Sequence, residues 1–204
     1  MKNNCENDEL KEYRKAVEHY ARDKKDYLFH NGGNEHALII LENLFKNANY
    51  KIRIAAQQLI NDEVVNTDVY IDSMREFLNR EKTELHIILA KKPDDNKLRE
   101  KQHSFYRMLY RHPAYDQKRI EIKAGKTFKA EEEGVEEEDS GHTVDFCTGD
   151  SRMYRFEFCI KERKAIANFN DEKVTERLNA KFDKAFFSLD DEKKVDLKNI
   201  FDSE

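Results

Sequence analysis

An α/β fold, with a mixed sheet flanked by helices and an extra helix in front, is predicted by three observations. Tyr50-Lys-Ile-Arg-Ile-Ala-Ala56 alternates at the two-residue period of a strand, while Leu85-His-Ile-Ile-Leu-Ala90 is nearly continuous, as in a strand covered on both faces. Between them Tyr70, Ile71, Met74, Phe77 and Leu78 fall at helical spacing. Strand, helix and strand in that order make a parallel crossover, right-handed by the general rule for such units.

The elements follow in order. Residues 7–29 carry Leu10, Tyr13, Val17, Tyr20 and Leu28 among many charges, a narrow apolar stripe of the kind that packs on a protein partner. We therefore set residues 1–30 apart as an N-terminal amphipathic helix and take 31–204 as one domain. Asn31-Gly-Gly-Asn34 breaks that helix, and Asn34 is expected to cap a second one with the face Ala37, Leu38, Leu41, Leu44, Phe45 and Ala48. Thr67 or Asn66 caps the crossover helix. After Pro93, the apolar positions Leu98, Phe105, Met108 and Leu109 predict a helix up to Arg111-His-Pro113, with Arg107 and Arg111 as a solvated pair. The strand Arg119-Ile-Glu-Ile-Lys123 repeats the α/β pattern.

Glu131 to Gly141 is an acidic run that buries too little apolar surface to order itself, so 129–141 is expected to be a mobile loop. The last third reads as a hairpin over 142–160, a strand Ala165 to Phe169, and a helix from about Asp171 with Val174, Leu178, Phe182, Ala185 and Phe186 inward. Ser188 is expected to cap a short final helix.

Composition narrows the function classes. The net charge of −5 denies the chain a broad cationic field, so nucleic-acid binding is not favoured and would have to be local. Cys5, Cys147 and Cys159 are an odd set without metal-ligand spacing, and no signal segment opens the chain, which points to a reducing cytoplasmic setting. The longest apolar runs fall far short of the roughly 20 residues that cross a bilayer, so no membrane is expected.

Chemistry concentrates in the hairpin. Gly149-Asp150 reads as a two-residue turn with glycine first, so Thr148 faces Ser151, Val144 faces Arg155, and His142 faces Glu157. A carboxylate holding one imidazole nitrogen fixes the tautomer and leaves the other free as nucleophile or base, while a neighbouring arginine fork can hold a phosphate. The same groups also make an ordinary cross-strand charged pair on a solvated face, worth about 0.2–1 kcal/mol.

The order of elements resembles the phospholipase D-like superfamily over about residues 31–189. Its half-domains open with a helix and strand like Ala37 to Ala56 and close with a histidine strand, a glutamate strand and a helix ending in paired aromatics, here Lys181-Phe-Asp-Lys-Ala-Phe186. The family signature is His-x-Lys, four residues, then Asp. His142 would be its nucleophile and Glu157 the orienting carboxylate, but Val144 stands at the lysine and Gly149 at the aspartate, with Asp150 one residue late. Lost lysine charge removes stabilisation of the developing phosphate charge, which is normally the largest catalytic contribution.

The resemblance thus implies a degenerate domain acting as a non-catalytic binding or regulatory subunit, in a bacterial nucleic-acid-processing or defence assembly. The alternative is a homodimeric, metal-independent phosphodiesterase or nuclease using His142 and Glu157, with Arg155, Lys126 and Lys129 binding phosphate. A third is a protein-interaction module working through the helix at 7–29. No cofactor or metal is expected: strand alternation sends His142 away from Asp145 and Cys147. The basic-aromatic stretch 101–112 and the turn at 31–34 read as a buried helix face and a surface turn, and His86 as a core histidine.

Overall fold

The computed structural model describes residues 2–100, 104–130 and 141–202, so the acidic part of the expected mobile loop lies outside the described residues. The first helix, α1 (Lys2–Arg22), is shorter at its end than the sequence pattern implies. The chain leaves it through Lys24, in the left-handed region at φ 51°, and then extends into β1 (Phe29–Asn31). Leu28 thus belongs to the approach to a strand. α2 (Asn34–Asn47) is capped not by Asn34 but by Gly33, at φ 85°, where glycine avoids the steric cost other residues pay. The Asn34 amide donates instead to Glu63.

β2 (Lys51–Ala56), α3 (Asp68–Asn79) and β3 (Glu84–Leu89) form the expected crossover, with β2 and β3 parallel and Ile54 opposite Ile87. Thr67 is the cap of α3, its oxygen accepting from Tyr70 N. Asn66 has a different task, accepting from Phe105 N. The single helix expected after Pro93 is divided into α4 (Asp95–Glu100) and α5 (Phe105–Arg111), because the Ser104 hydroxyl starts a new helix by accepting from Arg107 N. Arg107 is not a solvated partner of Arg111: it lies over the Phe201 ring at 4.8 Å and donates to Arg99 O. α6 (Pro113–Asp116) follows at once with proline in its first turn.

β4 (Ile120–Ala124) extends the parallel set beside β3. β5 (Phe128–Lys129), β6 (Thr143–Gly149), β7 (Met153–Cys159) and β8 (Lys164–Asn168) add antiparallel strands. α7 (Glu172–Ser188) is capped by Asp171, and a 3-10 turn at Asp191–Lys193 leads to α8 (Leu197–Phe201). Ser188 closes α7, donating to Ala185 O, and Asp196 caps α8 in its place. Among the described residues the sheet runs β1-β8-β7-β6-β2-β3-β4, with β5 paired to β6.

The sheet has two dissimilar faces. Ile52, Ile54, Leu85, Ile87, Ile120 and Ile122 point to one, where α1, α2, α3, α5 and α8 build the larger core. Ala55, Ile88, Val144 and Phe146 point to the other, against Phe182, Ala185 and Phe186 of α7. Polar anchors hold α7 there: Arg53 grips Asp183 through two hydrogen bonds of 2.8 Å, and buried Lys123 donates to Phe186 O and Leu189 O at the helix end. His86 stacks on the Phe186 ring at 4.4 Å, and burial lowers its pKa to about 4, so it stays neutral as a core side chain.

The apolar stripe of α1 is spent on the chain itself. Val17 and Ala21 are fully buried, with Leu10, Tyr13 and Tyr20 packed beside them on the larger core. Burying Val17 contributes roughly 1.5–3 kcal/mol. Arg14 adds an ion pair to Glu42 of α2 at 2.5 Å.

Candidate functional site

The β6–β7 hairpin has a different register from the one its glycine suggests. Gly149 pairs with Met153 and the chain turns through Asp150, Ser151 and Arg152, so Thr148 faces Tyr154 and Asp145 faces Glu157. An odd displacement of this kind moves every side chain of one strand to the other face. The cause lies in Asp150. Its carboxylate accepts from Asn49 N, Tyr50 N and Lys51 N at 2.8–3.0 Å, tying the turn to the start of β2, and it takes the left-handed conformation at φ 55° itself. Gly149 has another reason to be glycine: a Cβ there would meet Met153 Cε at 2.8 Å and Leu44 Cδ2 at 3.0 Å beneath α2.

The predicted pairing of His142 with Glu157 is therefore corrected. His142 precedes β6, is exposed, and its carbonyl accepts from Ala130 N. Val144 sits among Phe128, Phe146 and Phe182, so strand alternation places 142 on the α7 side. Glu157 lies with Asp145 and Cys147 on the side of α2. Lys129 pairs with Thr143 across β5–β6, so that segment lies alongside the histidine end and not the carboxylate; Lys126 is exposed in the approach to β5. Arg155 faces Cys147 rather than Val144 and is buried on the α2 side of the sheet, where it lines a small cavity.

A different constellation is built where the carboxyl end of β2 meets β6 and β7. Arg155 Nη1 donates to Glu157 at 2.8 Å, both residues being 5% exposed or less, and Arg163 approaches the second Glu157 oxygen at 3.4 Å. Asp145 accepts from Gln57 N at 3.1 Å. Burial pushes the Asp145 carboxyl up to about 6, an effect the Gln57 hydrogen bond opposes and the Glu157 charge reinforces. These four side chains line a cavity of about 80 Å³ roofed by Ala37, Leu41 and Tyr70. It adjoins an open groove of about 530 Å³ that shares Asp145 and Arg163 and includes Lys91 and Gln57. The position, outside the carboxyl end of a strand with a parallel neighbour on one side and an antiparallel one on the other, is where open α/β sheets bind ligands.

Several buried polar atoms on α1, β1, α2 and β7 have no partner among the described residues. Arg155 Nε and Nη2, both amide atoms of Asn31, the Tyr13 hydroxyl and His36 Nδ1 are buried and unpaired. Tyr13 stacks on His36 at 4.2 Å and feels the Arg155 charge, while Asn31 stands in the cross-strand row Asn31–Ala165–Glu157–Asp145. The Cys147 thiol beside Arg155 is buried and its pKa is pushed up, which removes it as a nucleophile.

No family model matches the sequence, and no curated protein is significantly similar to it. Solved structures are informative. TrmBL2, an archaeal chromatin protein whose structure shows a mode of DNA binding, superposes with a TM-score of 0.54 at 14% identity, over 93% of this chain and 64% of that one. Nuc from Salmonella typhimurium, a phospholipase D family member, superposes with a TM-score of 0.51 at 9% identity, over 84% of this chain and 98% of that one. The fold is phospholipase D-like. Phosphatidylserine synthase of Haemophilus influenzae Rd KW20 is similar at a TM-score of 0.46 and 8% identity, over 79% of this chain and 38% of its own. At these identities the likeness concerns architecture, and this chain spans under two thirds of TrmBL2.

Within the phospholipase D-like fold, sequence reasoning reached Arg155 and Glu157 and missed Asp145, Arg163, Asn31 and Tyr13. Asp145 carried a usable signal: an aspartate at an inward strand position among Val144, Phe146 and Cys147 needs a partner.

Proposed function

We propose that this chain is a non-catalytic phospholipase D-like domain, a binding or regulatory subunit that presents the carboxyl end of its sheet to a ligand. The observation that carries this reading is the pairing of Asp145 with Glu157. The carboxylate is held by Arg155 and Arg163, and the exposed histidine before β6 does not have it as the orienting partner that nucleophilic attack on phosphorus needs. Val144 supports it as well: the residue at the lysine position is 3% exposed in the α7 core and offers no charge to a phosphate.

A nucleic-acid-processing or defence assembly is the setting we favour, by analogy with TrmBL2 and Nuc, which share the architecture. The net charge of −5 favours contact with nucleic acid through a partner over a broad direct surface. Hydrolysis of bis(p-nitrophenyl) phosphate, single-stranded DNA and RNA in EDTA, by the full chain and by His142→Ala, tests the reading. No turnover above background by either protein is expected. Turnover by the full chain that disappears in His142→Ala would overturn it.

A further inference from the structure

The buried Arg155 guanidinium uses only part of its hydrogen-bonding capacity among the described residues. In folded proteins buried donors and acceptors nearly always find partners, and an unpaired one signals a missing water, ion or ligand. Six such atoms lie on four residues, Arg155 of β7, Asn31 of β1, Tyr13 of α1 and His36 of α2, and Tyr13 is near enough to feel the Arg155 charge. Arg155 is the most informative. One edge of its guanidinium is used: Nη1 is bound to Glu157. Its other edge, Nε with Nη2, is the geometry that grips two oxygens at once, as Arg53 does with Asp183 through the same two nitrogens. On Arg155 that fork is unpaired among the described residues although the side chain is only 7% exposed.

We propose that Arg155 binds an oxyanion, a carboxylate or phosphate group of a small molecule, through its free Nε–Nη2 fork, with Tyr13 supplying a further hydrogen bond. The assignment rests on the non-catalytic reading of the same sheet end and gives that site a ligand class. Donors dominate the unpaired set: two from the guanidinium, one amide and one phenol, with His36 Nδ1 behind Tyr13. Such a set satisfies an anion better than a neutral or cationic group. Arg155 and Arg163 share Glu157 as their common ion-pair partner, so one carboxylate serves two guanidinium groups.

Size sets the ligand's shape. The cavity of about 80 Å³ has room for a carboxylate or phosphate and little else, which excludes a buried base or sugar. Whatever the oxyanion is attached to would extend past Arg163 and Gln58, which line both the cavity and the open groove with Lys91 at its edge.

Isothermal titration of the full chain with sodium phosphate, phenyl phosphate, acetate and benzoate, at ionic strength held with chloride, tests this. Saturable binding of at least one probe is expected, the phosphate and carboxylate pairs distinguishing the two chemistries and the aryl members showing whether the groove adds affinity. Arg155→Met should abolish binding. Because that change can impair folding, Tyr13→Phe is the second variant: it keeps the ring and should weaken binding several-fold. Arg111→Met, on a different surface, should bind as the parent does. Absence of saturable binding by any probe, or binding unaltered in Tyr13→Phe and in folded Arg155→Met, would overturn the proposal. Neither result would restore catalysis, which only turnover dependent on His142 can do.

Discussion

Asp145 and Glu157 face each other across β6 and β7, two carboxylates on one side of the sheet with Arg155 bonded to the second at 2.8 Å. Arg163 reaches the same Glu157 carboxylate from the other side at 3.4 Å. Two acids side by side are stable only because two arginines neutralise one and burial keeps the other easily protonated.

Asp145 should make the fold sensitive to pH. Its pKa rises from 3.8 unfolded to about 6 folded, so the folded state holds the proton more tightly, and stability from this group is greatest below the unfolded value and lost as pH rises through about 6. Asp145→Asn keeps the acceptor for Gln57 N and removes the ionisation. We expect it to be more stable than the parent by about 3 kcal/mol at neutral pH and equal to it near the unfolded value. Urea unfolding of both proteins across this range checks the crossover; a constant difference would contradict it.

Arg155 and Glu157 should behave as a coupled buried pair. Removing either partner alone, Arg155→Leu or Glu157→Leu, leaves a desolvated charge and should cost about 3 kcal/mol. The double replacement should cost far less than the sum. Urea midpoints of the four proteins form a double-mutant cycle, and simple additivity would show that the pair is not coupled.

Asp150 should be the dominant residue of the turn. Asp150→Ala removes the acceptor for three backbone amides and the polar side chain that makes φ 55° tolerable, so a loss of about 2–3 kcal/mol is expected. Asp150→Gly relieves only the backbone part, and Asp150→Asn keeps one oxygen and tolerates the conformation. Thermal unfolding should rank them Asn, Gly, Ala in increasing damage; an Ala variant as stable as Asn would refute the role.

Gly149 and Gly32 should respond oppositely. Alanine at 149 drives a methyl against Met153 and Leu44, at a cost of about 1–3 kcal/mol. Alanine at 32 meets nothing within 4 Å and should stay within about 0.5 kcal/mol of the parent. Melting temperatures of the two variants check this.

Period and burial made much of the fold legible. Ile52 and Ile54 alternating in β2, the continuous Leu85 to Leu89 run, and Phe182, Ala185 and Phe186 on α7 are patterns that burial on two sheet faces imposes directly. The strand at Phe29–Asn31 was illegible because three residues on an edge carry no period, and Leu28 happened to continue the helical stripe. The register failed for a deeper reason. Hairpin arithmetic uses the turn's own residues, whereas here a side chain from the turn is captured by amides of residues 49–51, about a hundred positions away. Arg155 and Glu157 were found as residue types, but their true neighbour, Asp145, followed only once that long-range contact was known.

The register of β6 against β7 is the claim on which the functional reading depends, and it can be measured in solution. A nuclear Overhauser spectrum of the labelled full chain should show cross-strand backbone contacts between Asp145 and Glu157 and between Cys147 and Arg155. Contacts joining Val144 to Arg155, with His142 reaching Glu157, would contradict it and return the histidine and the carboxylate to one site.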